Sequence, residues 1–510
     1  MLHRGPDGAG SWYAHNGHFA LGHRRLAVVA LNDGQQPLCN EKGDIHAVVN
    51  GEFYGFRQTR KELQARGHVF ASGSDSEILL HLYEEYGVGC LQHLRGEFAF
   101  ILVDQSQDLL LAARDPFGVK PLVYTETAGG IMLASEAKAL FAAGVPAVWD
   151  AHSFYHAAQL QYTLPDRTLF KNVRQLAPGC YLTARAGNIT HGTYWDFNYP
   201  REQDRPHSRE TEAETIARFG AAFHEAVHLR LDADVPVCFH LSGGLDSTAV
   251  VAAARAKLSR PAHCFTVSFT DDVASNGTQG YDELAIAQSS ADYLGAHLHR
   301  VPVTRLDMLN HLPEAVMFSE GLSVNGHLTA KFLLNRAIAA AGFKVALTGE
   351  GADEVLAGYP HLRLDLLRAQ GQAADVAGLM AANSASGGIM LAQGQGLDLS
   401  AVRHRLGFEP GFLQAKACFG MKMLAFLKPD FRAAMAGYDG YAALLAAIDL
   451  PAQLTGRHPV HQSMYLWCKT ALCQYILSTL GDGCEMAASV EGRLPFLDRE
   501  LFACLRSLPV

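Results

Sequence analysis

His240-Leu241-Ser242-Gly243-Gly244-Leu245-Asp246-Ser247 decides the fold of this chain. Before it runs Val235-Pro236-Val237-Cys238-Phe239, a short apolar run of strand type; after it, Thr248 to Arg255 is a helix-forming run. The Ser-Gly-Gly therefore sits on a strand-to-helix turn. Such a turn suits an anion. Glycines let the backbone come close to it, and the first N–H groups of a helix have no partner within the helix and lie at its positive end. Ser242 and Ser247 add hydroxyl donors. Asp246 would repel a phosphate unless a cation lay between, so it reads as a Mg²⁺ ligand. A turn without a ligand explains Ser-Gly-Gly alone; the whole motif between strand and helix points to phosphate.

Downstream, strands and helices alternate, which predicts a parallel sheet. Cys264–Phe269, Leu298–Val303 and Lys344–Gly349 are the further strands; Asp282–Leu294 and Lys331–Ala341 are helices. Ligands of such sheets bind at the carboxyl ends of strands, here near Ser242, Ser268 and Gly349. The last strand runs into Glu350-Gly351-Ala352-Asp353-Glu354. Asp353 with Asp246 would hold Mg²⁺ between phosphates, and Glu350, between two glycines, would face the amine or the activated acid. The loop resembles the pyrophosphate loop of the ATP pyrophosphatases, which cleave ATP to AMP and pyrophosphate. It is not a Walker loop, since no Gly-Lys-Ser/Thr follows.

With 510 residues the chain exceeds one core, and two or more domains are expected. Its net charge of −9 argues against nucleic acid as a partner. It has no apolar run of bilayer length, so no membrane partner is expected. Ten scattered cysteines without a CxxC pair predict free thiols in a reducing cytoplasm.

From His18 to about Val145 the pattern is β-rich. Strands are expected at Phe19–Leu21, Ile45–Val49, Ala99–Val103, Leu109–Ala113 and Ile131–Ala134. Helices are expected at Thr59–Arg66 and Ser76–Tyr86, the second with Ile78, Leu79, Leu82 and Tyr86 on one face. Gly22-His23-Arg24-Arg25 places a basic pair at a strand start, and Asn50-Gly51-Glu52-Phe53-Tyr54-Gly55 ends a strand in a turn. Each motif has a plain reading as a turn, a cap or a surface pair. In this order His-Arg-Gly-Pro-Asp-Gly (3–8), Arg-Arg-Leu (24–26), Asn-Gly-Glu (50–52), Ser-Asp-Ser-Glu (74–77) and Arg-Asp-Pro-Phe-Gly (114–118) resemble the glutaminase domain of class II, N-terminal-nucleophile glutamine amidotransferases. The resemblance implies an α/β/β/α domain over 1–197 with a glutamine pocket. Arg25 would pair with the glutamine carboxylate, Glu52 and Asp75 with its ammonium. Asn50 and Gly51 would face an oxyanion, and Leu26, Val28 and Val29 would line the pocket. The family's nucleophile is an N-terminal cysteine whose α-amine is the base. Here the first residues are Met1-Leu2-His3 and the first cysteine is Cys39. The expectation is either a leading segment that carries the cysteine or a degenerate glutaminase; the abrupt opening in a turn favours the first.

A polar linker is expected from Asn198 to Glu214, then a helix Glu210–Arg230 with Ile216, Phe219, Phe223, Val227 and Leu231 in the core. Leu362 to Gly456 is poor in motifs, with a loop from Asn383 to Gly396. Near the end stands Ser489-Val490-Glu491-Gly492-Arg493-Leu494-Pro495-Phe496-Leu497-Asp498. This motif, the Ser242 loop and Gly349–Glu354 together resemble glutamine-hydrolysing asparagine synthetase over nearly the whole chain. The resemblance implies a second, α/β parallel-sheet ATP-pyrophosphatase domain over 210–510. Its ATP and pyrophosphate residues would be Leu241, Ser242, Gly243, Gly244, Asp246, Ser247, Val267, Thr348 and Gly349, with Mg²⁺ on Asp246 and Asp353 and catalysis by Glu350. It implies amidation of aspartate through an acyl-adenylate, with ammonia from glutamine; a homodimer is compatible with it. Three departures stand out. Ser319-Glu320-Gly321, followed by Ser323-Val324-Asn325-Gly326-His327, replaces an Asp-Glu-Pro stretch near the acyl-acceptor region. Asp482 is followed by Gly483 rather than Arg. A lysine expected beyond Pro-Phe-Leu-Asp has no counterpart before Val510. The alternative reading is an amide or β-lactam synthetase acting on another carboxylic acid, and a third is a non-catalytic nucleotide-binding protein.

Overall fold

A computed structural model describes residues 1–204, 210–269, 283–385, 391, 396–508 and 510. In the N-terminal part, β1 (Gly8–Tyr13) and β2 (Ala20–Arg25) form an antiparallel ribbon. A six-stranded antiparallel sheet runs β11 (Asn188–Thr193), β10 (Cys180–Arg185), β6 (Leu109–Arg114), β5 (Gly96–Asp104), β4 (Ile45–Phe53), β3 (Leu38–Cys39). A three-stranded sheet runs β8 (Gly130–Ala134), β7 (Val123–Thr127), β9 (Arg174–Gln175).

Alternation along β5 explains the layering. Phe98, Phe100 and Leu102 share a core with Phe56 and Leu63 of one helix (Phe56–Ala65) and Leu79 and Leu82 of another (Ile78–Tyr86). Ala99 and Val103, on the opposite face, pack with Leu122 and Tyr124 and with Leu21 and Trp12. The three-stranded sheet and the ribbon thus cover that face. The helix Ala137–Ala142 closes the far side, packing Ala137 and Leu140 on Val123. The order is α/β/β/α, as the resemblance implies.

The C-terminal sheet has five parallel strands in the order β14 (His297–Val303), β13 (His263–Phe269), β12 (Val237–His240), β15 (Val345–Leu347), β16 (Glu491–Arg493). From β12 the chain moves one way to β13 and β14, then returns to β15 on the other side. The switch point therefore lies between the loops that follow β12 and β15, where such sheets bind ligands. The two parts are joined by buried ion pairs. Arg230 donates to Glu97 at 2.7 Å, and Arg4 to Asp482 at 2.6 Å.

Several local expectations need correction. Arg24 and Arg25 end a strand, because the pairing of β2 with β1 stops at the Gly8–Arg25 partner. Asn50, Gly51 and Glu52 lie within β4, paired with Ala99, Phe98 and Glu97, and the turn comes after them. Tyr86 is not core; it is exposed and stacks on His93. Ile216 is exposed as well, although Phe223 and Val227 of the same helix (Glu212–Leu229) are buried. Most of the expected loop Asn383–Gly396, the middle of the linker and the Asp282 start of a helix lie outside the described residues.

Candidate active sites

A cavity of about 580 Å³ opens between the N-terminal sheets. Arg25, Leu26, Val28, Val29, Asn50, Gly51, Glu52 and Asp75 all line it. Gly51 is required: its φ is +117°, and a Cβ there would stand 1.9 Å from the Glu97 carbonyl oxygen. The neighbouring Asn50 keeps a buried, unpartnered Nδ2. Asp75 accepts from the Phe53 N–H at 2.8 Å. Burial raises its carboxyl to about 6, against the pull of backbone donors. Burial, then the charges of Asp75 and Glu491, also raises Glu52. Like carboxylates crowded out of water favour a cation among them. Arg25 is held differently from the expectation. Its Nη1 and Nη2 donate to the carbonyls of Leu31, Val29 and Ala30, at 3.1, 2.9 and 2.6 Å. His23, quoted in the sequence without a role, also lines the cavity, and burial lowers it to about 4. The lining includes no cysteine; Cys39 sits on β3. Its C-terminal contributions are Met486 and Glu491.

The other quoted N-terminal motifs do structural work. Arg114 is fully buried and donates to the carbonyls of Lys120, Gly118 and Leu176 at 2.7, 2.7 and 2.9 Å. The Asp115 carboxylate collects the N–H groups of Phe117, Gly118, Val119 and Lys120. This pair knits one turn together. Arg4 and Glu136 belong to the junction between the two parts.

At the switch point the helix Leu245–Arg255 starts from Gly244 with no side-chain cap, so its first-turn N–H groups face the loop. Gly243 N–H meets a carboxylate oxygen of Glu283 at 3.2 Å, which shows an anion fits that donor. The serines do not simply point outward. Ser242 Oγ accepts from Gly244 N–H at 3.1 Å and lies 3.0 Å from Ser247 Oγ. Gly349 packs against the same turn, where a Cβ would stand 2.7 Å from Ser247 N. This close contact brings Thr348 and Gly349 to the loop. Asp353 is raised by burial and then by the charge of Asp246; burial also raises Asp246. Two half-buried carboxylates that repel each other beside an anion-binding turn suit a hard divalent cation. Val267 lies on β13, which runs beside β12 toward the same end of the sheet.

Glu350 follows that turn. Its Oε1 accepts from Lys331 Nζ, and its Oε2 is buried without a partner. Sequence reasoning missed Lys331. The signal was one cation in the apolar run Leu328–Leu334, which folds as the helix His327–Ala340. Burial lowers Lys331, opposed by the charges of Glu485 and Cys484. His240 is neutral beside it, lowered to about 3 by burial and then by Lys331. Gly492 of β16 admits Glu485, whose carboxylate lies where a Cβ would stand, 2.2 Å away. Glu491 at the first cavity is followed by Gly492, which admits Glu485; the charge of Glu485 acts on Lys331, and Lys331 pairs with Glu350.

Two of the sequence departures meet in space. A Cβ on Gly483 would stand 2.7 Å from Ser319 Cα, and one on Gly321 would stand 2.3 Å from Thr479 Oγ1. Glu320 between them accepts from the N–H groups of Ala137 and Lys138, both at 2.7 Å.

Comparison with known proteins adds three findings. A family model described as a glutamine amidotransferase domain matches residues 1–195, and one described as asparagine synthase matches residues 218–510. A protein of Gibberella zeae named amidase chry2 is 32% identical over 544 residues, covering 100% of this chain and 77% of that protein. Amidase chyE of Penicillium rubens is 33% identical, covering 99% and 77%; asparagine synthetase [glutamine-hydrolyzing] 3 of Bacillus subtilis is 34% identical, covering 70% and 58%. Among the described residues no helix is long and apolar enough to cross a membrane.

Proposed function

Because this chain belongs to the asparagine synthase family, with a glutamine amidotransferase domain ahead of the synthase domain, we propose that it is an ATP-dependent ligase that converts a carboxylic acid to its amide. The acid oxygen attacks the α-phosphate of ATP, pyrophosphate leaves, and ammonia then displaces AMP from the acyl-adenylate. The observation that carries this reading is the packing of Gly349, which precedes Glu350, on the Ser242 turn, in a chain that also holds the carboxylate-lined cavity.

In the first cavity Glu52 and Asp75 hold the ammonium of glutamine, and Asn50 Nδ2 with the Gly51 N–H donates to an oxyanion; the unpartnered Asn50 Nδ2 supports this. Arg25 takes the glutamine carboxylate after yielding some of its carbonyl bonds. Ammonia passes Glu491 and Glu485 to the second site. There Leu241 to Ser247 and Gly349 bind the phosphates with backbone N–H groups and hydroxyls, while Val267 and Thr348 flank the nucleotide. Asp246 and Asp353 would hold Mg²⁺, which offsets phosphate charge when bound. The Glu350 carboxylate takes a proton from the attacking amine, and Lys331 holds Glu350 in place.

Aspartate is the first acid to test. Another acid is favoured by Glu320, which is engaged by the N–H groups of Ala137 and Lys138, and by the amidase names of two of the relatives that span the chain. Carboxylate-dependent ATP–pyrophosphate exchange over a panel of acids separates these readings. Exchange with aspartate supports asparagine formation, and exchange with a different acid assigns that acid. No exchange with any acid, from folded protein, overturns the proposal.

A further inference from the structure

Away from the glutamine-type cavity and the Ser242 turn, the N-terminal domain holds two histidines and two glutamates from three segments. Glu41 comes from the turn after β3, His68 from the turn after the helix Phe56–Ala65, and His81 and Glu84 from the helix Ile78–Tyr86. One ligand atom from each lies within 4.8 Å of all the others. His68 Nδ1 is 3.5 Å from Glu84 Oε2 and 3.9 Å from Glu41 Oε1. His81 Nδ1 is 3.1 Å from Glu84 Oε2 and 3.5 Å from Glu41 Oε2. A tetrahedral zinc ion with ligands at about 2.0–2.2 Å sets its donors about 3.3–3.6 Å apart. The four separations bracket that spacing.

The surroundings are those of a metal centre. Both imidazoles turn Nδ1 inward; His68 Nε2 is hydrogen-bonded to the outer carboxylate of Glu85 at 3.0 Å, while His81 Nε2 lies 3.8 Å from Glu77 and makes no hydrogen bond. Ligating histidines are oriented in this way by an outer carboxylate that fixes the tautomer. Glu84 presents Oε2 to both rings while Asn40 and Lys42 hold its Oε1 at 3.2 and 3.1 Å. His81 is fully buried, and Glu77 beyond it also accepts from the N–H groups of Ala71 and Ser72. We propose that His68, His81, Glu41 and Glu84 form a structural zinc-type site. It pins the loop and helix that flank Asp75. Mixed imidazole and carboxylate donors suit Zn²⁺ over Mg²⁺ or Ca²⁺, which prefer oxygen alone.

The test uses the full chain, stripped with chelator and refilled with Zn²⁺ or Co²⁺. The expected result is one equivalent of zinc retained after desalting and a tetrahedral Co²⁺ absorption spectrum. Thermal stability should rise with metal. H68Q, at the rim, should abolish the spectrum. E85Q, which leaves the four ligands intact, should weaken Zn²⁺ binding about 10- to 100-fold. Wild-type protein that retains no zinc, or H68Q protein that retains it equally, means a histidine–carboxylate ion-pair network only and overturns the proposal. D246N/D353N protein should retain the zinc, which separates this site from the nucleotide site.

Discussion

The two candidate sites hold charge by opposite means. The N-terminal cavity offers a ligand side chains: Glu52, Asp75 and Glu491 stand together, and burial raises the first two. The Ser242 turn offers backbone, through uncapped N–H groups at a helix start and a glycine packed on them. A side-chain site can be removed one charge at a time. A backbone site is removed only through the groups that balance its charge. In this chain those are Asp246 and Asp353, so the contrast is sharpest there. D246N or D353N should lower ATP–pyrophosphate exchange about 100- to 1000-fold, the scale of losing one preorganised electrostatic group. Glutamine binding, followed by calorimetry, should not change. Equal damage to both would break the division between the sites.

Glu350 lies where the two means meet, a side chain that follows the glycine packed on the Ser242 turn. Its proposed function as a proton acceptor predicts a split between half-reactions. E350Q should slow amide formation about 100-fold, within the range for loss of a general base. Exchange of pyrophosphate with the correct acid should persist. Loss of both in parallel would assign Glu350 to adenylation.

Fold and site were legible to different depths. The parallel sheet and the Ser242 turn could be read because backbone sites leave a local mark: glycines, hydroxyls and a strand-to-helix change in periodicity. The N-terminal motifs could be found, but not sorted. Arg114-Asp115 and Asn50-Gly51 look alike as punctuation, yet the first pair binds its own turn and the second faces the cavity. Sorting them needs the β4–β5 register, a long-range fact. Lys331 left only a single cation in an apolar run, and its partner Glu350 lies nineteen residues on, across a helix and a strand. The departures at Ser319–Gly321 and Gly483 looked independent in sequence. In space they are one adjustment, since Gly483 admits Ser319 at a distance no side chain allows.

The side-chain site is the one that point substitutions can dissect. E52Q should weaken glutamine binding about 30-fold, or about 2 kcal/mol, the lower end of the cost of truncating a buried charge partner. Ammonium-driven amidation should be unaffected, because free ammonia needs no ammonium pocket. If E52Q also slowed the ammonium reaction, the first cavity would belong to the synthetase chemistry and not to glutamine.

The smallest effect is the one with acid. Asp75 has its carboxyl raised to about 6 by burial, and Glu52 is raised in the same direction. In the proposed role the ammonium of glutamine would bind the ionised form, so proton and ligand would compete. The sign follows: affinity is steady above the raised value and falls as pH drops through it. One titrating group limits the fall to about tenfold per pH unit. Calorimetry should therefore give a constant affinity from pH 8 to 7 and one about tenfold weaker near pH 5. D75N should weaken binding and remove the Asp75 share of the fall, leaving a shallower profile from Glu52. The Ser242 turn gives no such profile, because backbone N–H groups do not ionise. A flat wild-type curve, or tighter binding in acid, would mean that the carboxylates do not face the ligand and that the two sites do not differ in the way their geometry implies.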